Sequence, residues 1–259
     1  MLSDGLRFHY CDENHRIVNG AMTRPEESHL DDALARTCVV VPAFNEADVI
    51  GDVLARLCTL PCTTVVVDDG STDGSYDICR PYPIHLLHHA CNLGQGAALQ
   101  TGMAFALTRL GPQYLVTFDG DGQHQLQDIA ALIAALSTGA VDVALGTRFG
   151  RAADAALVPR GRRAVLKAAV VFTRFCTGMR VTDAHNGLRA FTARAAARIE
   201  LRHNGMAHAS ELLTAIRRER LRWCEVPVSV AYTEYSRRKG QRDVGALDVV
   251  WDLVAGRMP

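Results

Sequence analysis

Residues 114–124 read YLVTFDGDGQH, a short apolar strand that runs straight into an acidic turn punctuated by glycine. Asp119 and Asp121 stand two residues apart just past the strand, and Gly120 and Gly122 let a ligand approach the backbone. Two carboxylates at this spacing can place oxygens on a hard divalent cation that keeps some water and binds substrate phosphates. Gln123 adds a neutral oxygen and His124 a nitrogen. The plain alternative is an acidic turn that ends a strand with side-chain hydrogen bonds. An isolated Asp-x-Asp does not decide between them, so the neighbouring segments must.

Working outward, the same pattern of strand, polar turn and helix recurs. Strand CVVVPAF (38–44) precedes a helix expected over about 46–58, where Val49, Ile50, Val53, Leu54 and Leu57 share one face. Strand TTVVV (63–67) runs into DDGSTDG (68–74), followed by a short helix, a strand at IHLLHH (84–89) and a helix through 97–110. After 114–118 comes a helix with Ile129, Leu132, Ile133 and Leu136 inward, then strand VDVALG (141–146). Strands separated by helices predict a mainly parallel sheet with right-handed crossovers. Ligands of such sheets bind beyond the carboxyl ends of the strands. PAFNE (42–46), DDGSTDG, DGDGQH and GTRFG (146–150) all fall there, so topology alone gathers four polar motifs on one rim.

The 259 residues carry 28 basic and 28 acidic side chains, which argues against bulk electrostatic binding to nucleic acid. An apolar share of 48% excludes a disordered chain. No apolar run approaches the roughly 18 residues of a membrane span, and the N-terminus lacks a basic-then-apolar leader pattern, so a cytoplasmic protein is expected. Eight scattered cysteines without a Cys-x-x-Cys pair read as reduced thiols. Residues 1–36 read as a polar, irregular extension without an assignable function, and 37–259 as one domain. An alternating strand is expected around 225–230 and a final amphipathic helix around Leu247–Val254.

Within the rim, Asp69 suits the N–H groups of a nucleobase, whereas Asp68 and Asp73 suit turn-bracing. Glu46 reads equally as a ribose or base contact and as a first-turn carboxylate favoured by the helix dipole. His85, His88 and His89 read as surface or satisfied groups rather than metal ligands. His208, Ser210 and Glu211 on one helix cannot form a hydrolase triad. The glycines at 94 and 96 match a dinucleotide-binding pattern only in part, because Leu99 stands where its third glycine belongs.

Six ordered motifs resemble the family-2 glycosyltransferases of the GT-A fold, especially the dolichyl- or polyprenyl-phosphate sugar synthases. They are PAFNE, DDGSTDG, NLGQGAALQTG (92–102), DGDGQH, GTRF and DAHNGLRAF (183–191), and the likeness spans about 38–241. The resemblance implies a Rossmann-like, mainly parallel sheet flanked by helices, and sugar transfer with inversion from a UDP-, GDP- or dTDP-sugar. It implies that Pro42, Phe44, Glu46, Val67 and Asp69 hold the nucleoside, and that Asp119, Gly120 and Lys239 contact the donor. Asp121 and Gln123 would bind Mg2+ or Mn2+, and Arg148 would lie by the phosphates, with Arg162 as a second acceptor-phosphate arginine. Thr233 stands where the family usually has an arginine six residues before the lysine.

Acceptor chemistry divides the remaining readings. A polyprenyl phosphate is already an anion and needs no strong base; a saccharide hydroxyl needs one, and Asp183 and Glu211 are the candidates. The stretch 155–181 holds six basic residues and no acidic one, with Val165, Ala168, Ala169 and Phe172 on one helical face. That composition favours the lipid phosphate at a membrane surface, reached alone or with a small membrane protein partner. A non-catalytic nucleotide-sugar sensor is the remote rival, and the retained pair Asp119 and Asp121 argues against it.

Overall fold

The computed structural model describes residues 7–11, 17–21, 27–150, 170, 174, 177–205 and 208–231. Expectations at Arg162, Thr233, Lys239, most of 155–181 and the final helix lie outside these residues. The strands are β1 (Arg7–Cys11), β2 (Ile17–Ala21), β3 (Thr37–Ala43), β4 (Thr63–Asp68), β5 (His85–His88), β6 (Tyr114–Thr117), β7 (Val143–Thr147), β8 (Arg189–Thr192) and β9 (Trp223–Pro227). The helices are α1 (Glu27–Ala35), α2 (Ile50–Leu57), α3 (Ser75–Cys79), α4 (Gln95–Phe105), α5 (Leu126–Ser137), α6 (Ala193–Ala196) and α7 (His208–Arg218).

Among the described residues, nine strands form one sheet in the order β2-β1-β9-β7-β8-β6-β3-β4-β5. β3 is parallel to β4 and β6, β4 to β5, and β7 to β9. β8 runs antiparallel to both β6 and β7, and β1 to both β2 and β9. The expected mainly parallel sheet is therefore present, with β8 wedged between two strands that point the other way. This wedge has a consequence for the site. A reversed strand begins at the edge where its neighbours end, so the residues before β8 arrive at the carboxyl rim.

Every residue of β3 is buried, because helices cover both faces of the sheet. Alternation along the strand divides them: Val39 and Val41 join Ile50, Leu54, Ile129 and Leu132 on one side. Cys38 and Val40 join Leu99, Met103, Leu212 and Ile216 on the other. Ile50, Val53, Leu54 and Leu57 are buried as their spacing predicts. The helix itself begins at Ile50 rather than near Glu46, since Ser75 Oγ and Asp73 accept the N–H groups of Glu46 and Ala47 and hold that segment as a turn.

The N-terminal segment differs from its irregular reading. It contains a hairpin that joins the sheet through β9, and a helix whose Ala33 and Leu34 enter the core. Among the described residues, no helix is long and apolar enough to cross a membrane.

Candidate active site

β3, β4, β6 and β7 end on the same edge, and a cleft of about 370 Å³ opens across it. Pro42, Phe44, Glu46 and Asp69 line one end; Asp119, Gly120, Asp121, Gln123 and His124 line the middle; Arg148, His185 and Arg189 line the other end. The sequence motifs thus converge as topology required.

Each is held by its own strand end. Asp119 accepts hydrogen bonds from Gln95 Nε2 at 3.0 Å and His124 Nε2 at 3.1 Å. Burial opposes its ionisation, yet the His124 hydrogen bond and the nearby Arg189 guanidinium prevail and hold the carboxyl below its usual range. Gly187 lies so close that an added Cβ would overlap the Asp119 carboxylate. Asp121 accepts from the Gln123 N–H at 3.0 Å and from Gln123 Nε2 at 2.6 Å. The oxygen-rich pair therefore has the chemistry of a hard-cation site, and His124 serves Asp119 instead of adding a nitrogen ligand. Among the described residues, no three His, Cys, Asp or Glu side chains converge as a protein-only metal cage.

At the end lined by Pro42 and Asp69, Phe44 is 38% exposed and Glu46 is buried. Asp69 is already engaged: Oδ1 accepts from His89 Nδ1 at 2.7 Å and Leu93 N–H at 3.0 Å, and Oδ2 from Gly94 N–H at 2.7 Å. It lines the cleft and at the same time ties the 89–94 loop to β4. Asp68 braces the turn through Ser71 N–H and His88, as expected; its Oδ1 is buried without a partner among the described residues. Asp73 accepts from the Ser75 N–H and hydroxyl, bearing out its turn role. His88 and His89 are satisfied by the two aspartates. Val67 is fully buried against α4, 3.1 Å from where a Cβ on Gly102 would lie, and does not line the cleft.

The two candidate bases have other partners. Asp183 is fully buried and accepts from Arg148 Nε at 2.6 Å, Arg148 Nη2 at 3.4 Å and the Arg148 N–H at 3.2 Å. Glu211 accepts the N–H groups of Arg202 and His203 at 2.9–3.0 Å and does not line the cleft. Both carboxylates are engaged by the protein: one holds an arginine and the other a loop.

Gln95, His185 and Arg189 escaped sequence reasoning as site residues, and His208 entered it only as a rejected triad member. Gln95, His185, Arg189 and His208 line the wall beside Asp119. Burial and the nearby Arg189 lower the His185 pKa to about 4, and the same two causes lower that of His208, so both imidazoles favour the neutral form. His208 Nδ1 lies 2.8 Å from the Gly205 carbonyl, which can only accept, so this nitrogen carries the proton. Arg189 and His185 sit inside a motif the sequence displayed, and Gln95 sits inside another; the motifs were legible but these members' placement was not.

A mostly parallel sheet with an acidic, arginine-flanked cleft across its carboxyl edge is the GT-A arrangement of glycosyltransferases. The chain belongs to glycosyltransferase family 2, whose model matches residues 38–200, and it is a glycosyltransferase. It is 28% identical to the UDP-N-acetylglucosamine–dolichyl-phosphate N-acetylglucosaminyltransferase of Methanococcus voltae, over 85% of this chain and 95% of that one. It is also 28% identical to the undecaprenyl-phosphate mannosyltransferase of Micrococcus luteus, again over 85% and 95%. Among solved structures, glucosyl-3-phosphoglycerate synthase of Mycobacterium tuberculosis, crystallised with Mn2+, UDP and glucosyl-3-phosphoglycerate, shares the fold. That match has a TM-score of 0.60 and 19% identity, over 90% of this chain and 85% of that one.

Proposed function

We propose that the protein transfers a sugar from a nucleotide sugar to a polyprenyl phosphate at a membrane surface, with inversion. The Arg148–Asp183 pair carries this reading. The carboxylate that a hydroxyl acceptor would need as a base is bonded instead to an arginine at the cleft, and a guanidinium suits a phosphate. A phosphate oxygen is already anionic near neutral pH, so the nucleophile arrives without proton removal. The names of the similar transferases from Methanococcus voltae and Micrococcus luteus, and the acid-free basic stretch 155–181, support the same acceptor.

Pro42, Phe44, Glu46 and Asp69 would receive the nucleoside, and Asp119 with Gly120 the donor's sugar-phosphate portion. The oxygen donors of Asp121 and Gln123 fit Mg2+ or Mn2+, with diphosphate and water completing the shell. Such an ion would neutralise charge on the departing nucleoside diphosphate. Arg148 would orient the acceptor phosphate and stabilise charge as the bond to the anomeric carbon forms. Arg162 and Lys239 are proposed to add to the two phosphate sites.

The test offers the purified chain, with Mg2+ or Mn2+, a labelled nucleotide sugar and either polyprenyl phosphate or a saccharide. Label in the lipid supports the proposal. Label entering only the saccharide overturns the acceptor assignment.

A further inference from the structure

Glu225 lies in the middle of β9, one strand away from the cleft's arginine and absent from the cleft lining. It is 7% exposed, an unusual place for a carboxyl. Its Oε1 accepts from the Thr182 N–H at 2.7 Å, the Thr182 hydroxyl at 3.0 Å and the Asp183 N–H at 3.3 Å. The Thr147 and Thr182 hydroxyl oxygens lie 2.7 Å apart, and Thr147 Oγ1 accepts the Phe149 N–H at 3.2 Å. Since the Thr182 hydroxyl donates to Glu225, Thr147 donates to Thr182. The chain of hydrogen bonds thus has one direction, from the backbone beyond β7 to Glu225.

The consequence for Arg148 is geometric. Arg148 is flanked by Thr147 and Phe149, both in this chain, and its guanidinium is held by Asp183, whose N–H Glu225 receives. We propose that Glu225 is a positioning residue that fixes the Thr182–Asp183 segment against the end of β7 and thereby sets Arg148 in the cleft.

The cost of the group supports this. Burial first, with Asp183 adding to it, raises the Glu225 carboxyl from 4.5 to about 7 against the opposing pull of its three hydrogen bonds. An apolar side chain would avoid that cost but would leave the buried Asp183 N–H, and the Thr182 N–H and hydroxyl, without this acceptor. Oε1 remains an acceptor whether or not the other oxygen is protonated, so a glutamine carbonyl can replace it.

This inference rests on the proposed role of Arg148 but is separable from it. Glu225→Ala is expected to lower kcat at least tenfold while the Kd for nucleoside diphosphate changes less than twofold, and Glu225→Gln to restore most of the turnover. In an Arg148→Ala background, Glu225→Ala should add less than twofold, because both act through one arginine. Independent, multiplying losses in the double variant would overturn the proposal. If the wild-type chain transfers no sugar to any acceptor, the functional reading fails, and amide hydrogen exchange still decides the positioning claim. Exchange at Thr182, Asp183, Arg148 and Phe149 should accelerate together in Glu225→Ala and stay near wild type in Glu225→Gln. Acceleration that stops at Thr182 and Asp183 would overturn the link to Arg148. Should Glu225→Ala not fold, Thr182→Val removes the hydroxyl bridge alone and is read in the same way.

Discussion

Asp183 binds Arg148 twice over, through its guanidinium, with Nε at 2.6 Å, and through its backbone N–H at 3.2 Å. The pair is buried, with side-chain exposures of 6% and 0%. The aspartate that sequence spacing offers as a base is thus a fixed counter-charge. Removing one partner of such a pair leaves an uncompensated buried charge, so Asp183→Ala should cost about 3–5 kcal/mol of stability. Asp183→Asn should lower kcat with little change in nucleoside diphosphate affinity, because the arginine loses its hold and not the donor site. Denaturant titration and calorimetry read these two outcomes. Loss of nucleotide binding equal to the loss of turnover would show that Arg148 serves the donor.

Asp121→Ala should lower metal-dependent turnover by about 10²–10³-fold, equivalent to about 3–4 kcal/mol of transition-state stabilisation. Its carboxylate is bonded to the neighbouring Gln123, and it lies on the cleft surface rather than in the core, so the fold should persist. Kinetics beside far-UV circular dichroism tests this. Unchanged turnover in a folded variant would remove the metal assignment.

Gly187→Ala places a methyl group on the Asp119 carboxylate, a contact that must be relieved by moving one or the other. Asp119 is bound by Gln95 and His124 and cannot retreat without breaking both bonds. The variant should lose about 1–3 kcal/mol by overpacking, with a weakened donor affinity. Melting curves and nucleotide-sugar titration measure both. A variant with native stability and affinity would show that Asp119 has room the structure does not display.

Glu225 makes stability depend on pH in a definite direction. Its folded pKa of about 7 lies above the ordinary 4.5, so the folded chain keeps a proton that the unfolded chain has released. The stabilisation is fully present below about 4.5 and is lost as pH rises through about 7. Relative to Glu225→Gln, which does not titrate, the wild type should lose roughly 3 kcal/mol across that interval. Denaturation midpoints of both proteins at several pH values give the difference directly. A flat difference would mean that the carboxyl ionises in its ordinary range.

Much of this architecture was legible from the chain alone. The apolar runs at 38–44, 63–67 and 114–118 and the one-sided spacing of Ile50, Val53, Leu54 and Leu57 are local patterns, and burial follows them. The turns DDGSTDG and DGDGQH must leave a sheet where the apolar run stops, which puts Asp69, Asp119 and Asp121 on one rim whatever the strand order. A period and a turn, with the parallel crossovers that the intervening helices make, suffice for that conclusion.

Tertiary structure decided the partners. Asp183, Gly187 and Arg189 reach the rim only because β8 runs against β6 and β7, and nothing local marks RAFT as a reversed strand. Glu225 looked like one residue of an alternating strand, but it is buried and its oxygen meets a segment 43 residues earlier. The same holds for Glu211, a candidate base by its place in the sequence until folding brought the N–H groups of Arg202 and His203 to it. A side chain's type gives its chemistry, but its role depends on which groups are within about 3 Å, and those contacts join residues far apart in the chain. Sequence therefore determined the parallel core of the sheet, its rim and the carboxylates at the rim; long-range packing determined which of those groups stay open to the cleft and which hold the others in place.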